Sequence, residues 1–239
     1  MPPIDTYANL VTSFTDFLLV SIHTILYERE IYPSTLFIAA RKYNHPVRQA
    51  RHPLVCQWIQ EAVDACAEEL MKCAVDIVAV NIVSRTNKPL ERFVFDVSRF
   101  PVVDPPDVHS PLVMTDEDGN ERAVDSLPDL EEQMRAVLTK LSYSTAKLGK
   151  LPKDCTFSVS MELKKEATAP EGNPPVWIAS EYQEGDTPRG RRESALKTRD
   201  TNRTIPVRSL IMGPLALETW IEESEGNKDM AGNRSGDTS

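Results

Sequence analysis

The amino-acid sequence predicts an α+β domain. Three stretches carry apolar residues at helical spacing, a β-hairpin signature lies between the second and third, and strand-like alternation follows the third. Within the hairpin, "RFVFDV" puts Phe93 and Phe95 on one face and Val94 and Asp96 on the other, so helices are expected over one side of the sheet.

The elements follow in chain order. From Asp5 to Glu30, Leu10, Phe14, Phe17, Leu18, Ile22, Ile25 and Leu26 share one helical face and predict a long core helix, with Pro33 expected to end it. The connector "LYEREIYPSTLFIAARKYNHP" (26–46) contains tyrosines, prolines and an asparagine but no glycine to soften its turns. A second helix is predicted from about His52 and Pro53 through Val55, Ile59, Val63, Cys66 and Leu70, because a proline at an early helical position loses no hydrogen bond. The period then changes. "AVDIVAVNIVS" (74–84) and "ERFVFDVS" (91–98) are β-branched and aromatic runs separated by "RTNKPL", whose residues suit a short reversal. Ser126 and Pro128 precede a third helix carrying Leu130, Met134, Val137, Leu138 and Leu141, with acids in its first turn as the helix dipole favours. "CTFSVSMEL" (155–163) alternates as a strand, with Phe157, Val159 and Met161 in register. Short strand-like pieces follow at 176–181, 204–212 and 215–223; the polar insertion 183–203 is expected to be mobile and 224–239 to be a disordered tail.

A chain of 239 residues, 41% hydrophobic, has material for one substantial core. No stretch approaches the roughly 18 to 20 uncharged apolar residues of a membrane span, and "MPPIDTYANL" lacks the pattern of a signal peptide, so a soluble intracellular protein is expected. Cys56, Cys66, Cys73 and Cys155 form no C-x-x-C pair and read as small core residues in a reducing compartment. The net charge is −9, and residues 104–129 carry most of it: Asp104, Asp107, Asp116, Glu117, Asp118, Glu121, Asp125 and Asp129 against Arg122 alone. DNA affinity rests on clustered Lys and Arg, so this acidic chain is a poor direct DNA binder and protein partners are favoured.

The signatures of catalysis are missing. There is no phosphate loop, no G-x-G-x-x-G, no H-E-x-x-H and no G-x-S-x-G, and nine glycines make a phosphate cradle improbable. His23, His45, His52 and His109 lack partners at metal spacing and read as solvated or hydrogen-bonded histidines. "DEDGNE" lacks the spacing and terminal Glu of a calcium loop, and "RGRRESALKTR" (189–199) reads as a flexible loop, with a nuclear-import signal or a phosphate contact as the alternatives.

Taken in order, "LYEREIYPSTLFIAARKYNHPV", "HPLVCQWIQEAV", "ERFVFDV", "IPVRSL" and "LALETWIEE" resemble the HORMA-domain family, and within it the branch of accessory subunits of the translesion DNA polymerase zeta. The resemblance runs from about Leu18 to Glu223, with longer insertions here at 104–129 and 183–203. It implies a three-helix layer on a mainly antiparallel sheet, and a non-catalytic, cofactor-free adaptor of the nucleus, with the cytoplasm as a second location. The domain would span 5–223, with a core to 163 and a C-terminal seatbelt from 164 that straps a partner peptide against a sheet edge. By the same resemblance, Trp58, Trp177 and neighbouring Tyr32 wall a pocket for prolines of the polymerase zeta catalytic subunit. Thr204, Glu218 and Trp220 meet the Y-family scaffold polymerase, Glu218 and Trp220 sharing one side of their strand. Arg135 serves dimerisation with a second HORMA protein, or else pairs with Glu131 or Glu132 on its own helix. Pro33, Tyr43 and Pro46 would fix the loop between the first two helices. The alternatives are a spindle-checkpoint or meiotic-axis HORMA adaptor, a small hydrolase or metal enzyme using His45, His52 and the acidic loop, and a direct DNA binder.

Overall fold

The computed structural model describes residues 4–115, 121–123, 130–165, 167 and 202–224. Helices α1 (Tyr7–Glu28), α2 (Pro53–Met71) and α3 (Leu130–Thr145) pack on a five-stranded antiparallel sheet. Its strands are β3 (Val75–Val83), β4 (Pro89–Asp96), β7 (Thr156–Leu163), β8 (Asn202–Met212) and β9 (Leu215–Ser224), in the order β7-β3-β4-β9-β8. Two smaller ribbons complete the described fold: β1 (Phe37–Lys42) with β2 (His45–Ala50), and β5 (Val113–Thr115) with β6 (Glu121–Ala123). The predicted strand at 176–181 and most of the insertion at 183–203 lie outside the described residues, as does the tail beyond Ser224.

Helix α1 is the axis of the core. Leu10, Phe14, Phe17, Leu18, Ile22, Ile25 and Leu26 are all fully buried, and Phe17 meets Phe95 of β4 edge to face at 6.2 Å. By length and composition this helix could span a bilayer, with a mean hydropathy of 1.5, contrary to the expectation that no stretch comes close; 72% of that apolar window is instead buried within the protein. Thr6 caps its start by accepting the Asn9 N–H at 3.1 Å. The helix stops at Glu28, before Pro33 can act. Glu30 takes a left-handed φ of 51°, and the Glu30 and Ile31 N–H groups donate back to the carbonyls of Tyr27 and Leu26. The same closure recurs after α2, where Cys73 holds the left-handed position with φ 55° and its N–H donates to the Leu70 carbonyl. Glycine is the usual residue for such closures, and this chain uses Glu and Cys instead.

The connector is a hairpin, not a loop. β1 and β2 pair from Phe37 with Ala50 to Lys42 with His45, and the two-residue turn Tyr43–Asn44 has φ values of 51° and 52°. Two consecutive left-handed residues are what a tight hairpin needs to match strand twist. Tyr43 is 4% exposed, so burial of its ring offsets the cost of the backbone, about 1 kcal/mol for a bulky residue in that region. The start of the acidic 104–129 segment packs against the beginning of α1. Val108 and Leu112 are buried, Ala8 donates to the Val108 carbonyl, and Leu112 donates to Asp5.

A buried polar cluster closes one end of the core. Arg29, at the C-terminal cap of α1, forks onto Glu91 of β4 at 2.6 and 2.8 Å and also donates to the Gly149 carbonyl at 2.6 Å. Glu223 of β9 accepts the Gly149 N–H at 2.8 Å and lies 3.5 Å from Arg203 of β8. Burial pushes the Glu91 carboxyl above its ordinary value, with Arg29 pulling the other way. One cation thus ties α1, β4 and the segment after α3 together, and Glu223 brings the C-terminal hairpin to the same point.

His23 fastens the ribbon to α1, its Nδ1 accepting the Ala50 N–H at 3.4 Å. Burial lowers its pKa to about 4. The unfolded chain therefore takes up a proton that the folded chain refuses between the usual 6.5 and about 4. The contribution of His23 is complete above that window and is lost as pH falls through it. Urea melts at pH 7 and 5.5 should show about 1 kcal/mol lost to this group, and His23→Gln should flatten that part of the slope.

Candidate peptide edge and partner surface

The five-stranded sheet is asymmetric. Its inner face buries Val78, Val80 and Ile82 of β3, Phe93 and Phe95 of β4, and Leu215, Leu217 and Ile221 of β9 under the helices. At one margin, β7 pairs with β3 from Thr156 with Val83 to Leu163 with Val75, and no described strand pairs with its other side. A strand margin of this kind presents a row of main-chain donors and acceptors to any extended segment.

Beside that margin sits an aromatic cluster assembled from three distant parts of the chain. Trp58, from the first half of α2, meets Phe157 of β7 edge to face at 4.9 Å, and Tyr32, from the connector, meets the same ring at 6.5 Å. Trp58 remains 43% exposed despite this contact, and Leu54, one turn earlier on α2, is 68% exposed. Burial raises the pKa of the Tyr32 hydroxyl above its ordinary value. Two of the three residues expected at a peptide pocket therefore stand together, while Trp177 lies outside the described residues. Phe157, which joins them, reads from the sequence only as a strand residue, and the structure adds it to the site. The signal was an aromatic at the start of a strand and on its helix-facing side.

Thr204, Glu218 and Trp220 share the opposite, outer face. β9 alternates strictly between buried and half-exposed residues, leaving Glu218, Trp220 and Glu222 outward. Across to β8, Thr204 pairs with Glu222, Pro206 with Trp220 and Ser209 with Glu218. Glu218 is held by Arg99 at 2.9 Å, and the Trp220 indole N–H donates to Glu222 at 2.9 Å. Arg135 on α3 lies 3.9 Å from Glu132, one of the two carboxylates expected on its own helix, and keeps 36% of its side chain exposed.

Cys66 is buried and Cys56, Cys73 and Cys155 are half-buried; all are free thiols, and Cys56 donates to the Ala50 carbonyl. Among the described residues no group of three His, Cys, Asp or Glu could hold a metal ion. His45 sits on β2 and His52 precedes α2.

The sequence and the fold both have known counterparts. The HORMA domain family matches residues 11–209. The DNA polymerase zeta processivity subunit of Schizosaccharomyces pombe is 37% identical over 210 residues, covering 88% of this chain and 91% of that protein. The human mitotic spindle assembly checkpoint protein MAD2B is 29% identical over 213 residues, covering 87% of this chain and 88% of that one. Among solved structures, a chain of the mitotic checkpoint complex superposes with a TM-score of 0.63 at 16% identity, over 90% of this chain and 98% of that chain. HTP-2 bound to HTP-3 motif-6 gives 0.61 at 11% identity, over 92% of each. With a family match across most of its length, an α+β layer of three helices on a mainly antiparallel sheet, and a relative at 37% identity, this chain belongs to the HORMA-domain family.

Proposed function

We propose that this protein is the non-catalytic accessory subunit of a translesion DNA polymerase zeta, an adaptor in DNA damage tolerance and mutagenesis that works in the nucleus. The observation that carries the reading is the Tyr32–Phe157–Trp58 cluster beside a margin of the sheet to which no described strand pairs. A partner segment adding to β7 gains main-chain hydrogen bonds from the strand and rigid aromatic walls for its prolines. The catalytic subunit of the polymerase supplies that segment. Residues 164–223 act as the seatbelt, Trp177 adding a further wall, and the strap slows escape. Thr204, Glu218 and Trp220 form the contact for a Y-family scaffold polymerase, and Arg135 serves self-association or pairing with another HORMA protein.

A spindle-checkpoint role is the second reading, supported by relatives that carry the name mitotic spindle assembly checkpoint protein at 29 to 30% identity. The higher identity to the polymerase zeta processivity subunit favours the first. Affinity purification of the full chain, followed by identification of the bound protein and of the segment protected from protease, decides between them. Recovery of a checkpoint protein without any polymerase subunit would reject the first reading.

The pocket assignment makes a quantitative statement. Trp58→Ala, Phe157→Ala and Trp177→Ala should each weaken the partner segment by roughly 2 to 4 kcal/mol in calorimetry, as expected for central aromatic anchors. Unchanged affinity with an intact fold would remove the residue concerned from the pocket. For Arg135, sedimentation should show a mass above that of the monomer for the wild type and the monomer mass for Arg135→Ala; equal masses would leave the arginine to its pairing with Glu132.

A further inference from the structure

The outer face of the sheet carries a continuous line of polar contacts from the β7 margin to Trp220. Glu162 is on β7, its side chain 49% exposed, and it accepts from Nη2 of Arg92 on β4. Nη1 of the same guanidinium faces Glu222 of β9 at 3.5 Å, and the other oxygen of Glu222 accepts the Trp220 indole N–H at 2.9 Å. Arg92 pairs in register with Glu222 and is 27% exposed, while Glu222 is only 11% exposed. The line runs from β7 over β3 to β4 and on to β9, and Arg92 and Glu222 each use a different atom for each of their two contacts.

The use of two different nitrogens matters. Had both carboxylates shared one nitrogen, tightening one contact would loosen the other. A planar guanidinium fixed at Nη2 also has Nη1 fixed, so order at one end is order at the other. Glu162 is the exposed end, on the strand whose margin we assign to the partner segment. A strand added there removes water from beside Glu162, strengthens its pair with Arg92 and restricts the arginine. The side-chain freedom then already lost no longer has to be given up when Glu222 and Trp220 engage a second partner, which is positive coupling without a change of fold.

We propose that Arg92 relays occupancy of the β7 margin to the Trp220 surface, so that binding of the partner segment prepares the second contact. The inference rests on the adaptor reading above and deepens it by linking its two surfaces; by reciprocity, the second partner also tightens the first.

The relay can be tested without any partner. In the full chain labelled with 15N, the Trp220 indole signal is assigned by its loss in Trp220→Phe. Glu162→Gln, made on a different strand, should shift that signal and speed its hydrogen exchange by about threefold or more, while the Trp58 indole stays unchanged. The effect should vanish when Glu162→Gln is made on an Arg92→Met background. Arg92→Lys, which keeps the charge but offers no second nitrogen, should abolish it too and covers the case in which the methionine variant fails to fold. A Trp220 signal indifferent to Glu162→Gln, or one that responds equally in the Arg92 variants, would overturn the relay. Neither outcome depends on a peptide, so failure here leaves the peptide reading to its own calorimetry.

Discussion

The fold is closed by a single cation with several obligations. Arg29 must satisfy Glu91, which is fully buried, and at the same time cap the carbonyls that end the third helix and its following turn. Leaving a buried carboxylate without its cation costs about 3 to 5 kcal/mol, a large share of the stability of an ordinary domain. The position of Arg29 is in turn set by where α1 stops, and α1 stops where Glu30 accepts a left-handed backbone. The left-handed residue, the end of the helix, the fork onto Glu91 and the seat of Gly149 therefore form one chain of dependence. The C-terminal hairpin joins it through Glu223.

With one end locked, the sheet divides its labour. The inner face is apolar and lies under the helices, while the outer face carries charged residues in cross-strand pairs. Cross-strand pairs on such a face contribute little stability one by one, but they fix register, and register decides which side chains point outward together. Shifting β9 by one residue would bury Glu218, Trp220 and Glu222 and expose Leu217 and Ile221. The burial of those apolar residues is therefore what holds the outer surface in its present pattern.

Much of this was legible in the chain itself. The face of α1 is legible because Leu10, Phe14, Phe17, Leu18, Ile22, Ile25 and Leu26 all enter the core, and the alternation in "LALETWIEE" is legible because β9 has one buried and one half-exposed face. Tyr32 and Trp58 could be named from the resemblance, but their meeting on Phe157 depends on packing between elements far apart in sequence, which local periodicity does not encode. The β1–β2 ribbon was hidden for a related reason. Its turn residues are Tyr43 and Asn44, where the recognisable signal would have been Asn followed by Gly, and its strands carry few of the β-branched residues that mark β3. Pro33 reads as the stop of α1 in the sequence, but the hydrogen bonds from Glu30 to Tyr27 and from Ile31 to Leu26 end the helix before it. Arg92 stands out in no sequence pattern, since its role comes from reaching both β9 beside it and β7 across β3.

The Tyr43–Asn44 turn also bears on the order in which the molecule assembles. A turn built on asparagine and glycine favours its own bend and can start a hairpin by itself. One that forces a tyrosine into left-handed geometry has no such head start, because the compensation arrives only when the ring finds its cavity. The ribbon is thus a follower in folding: it zips once the first helix and its surroundings exist to receive the ring, and nucleation belongs to the helices and the long hairpin of β3 and β4.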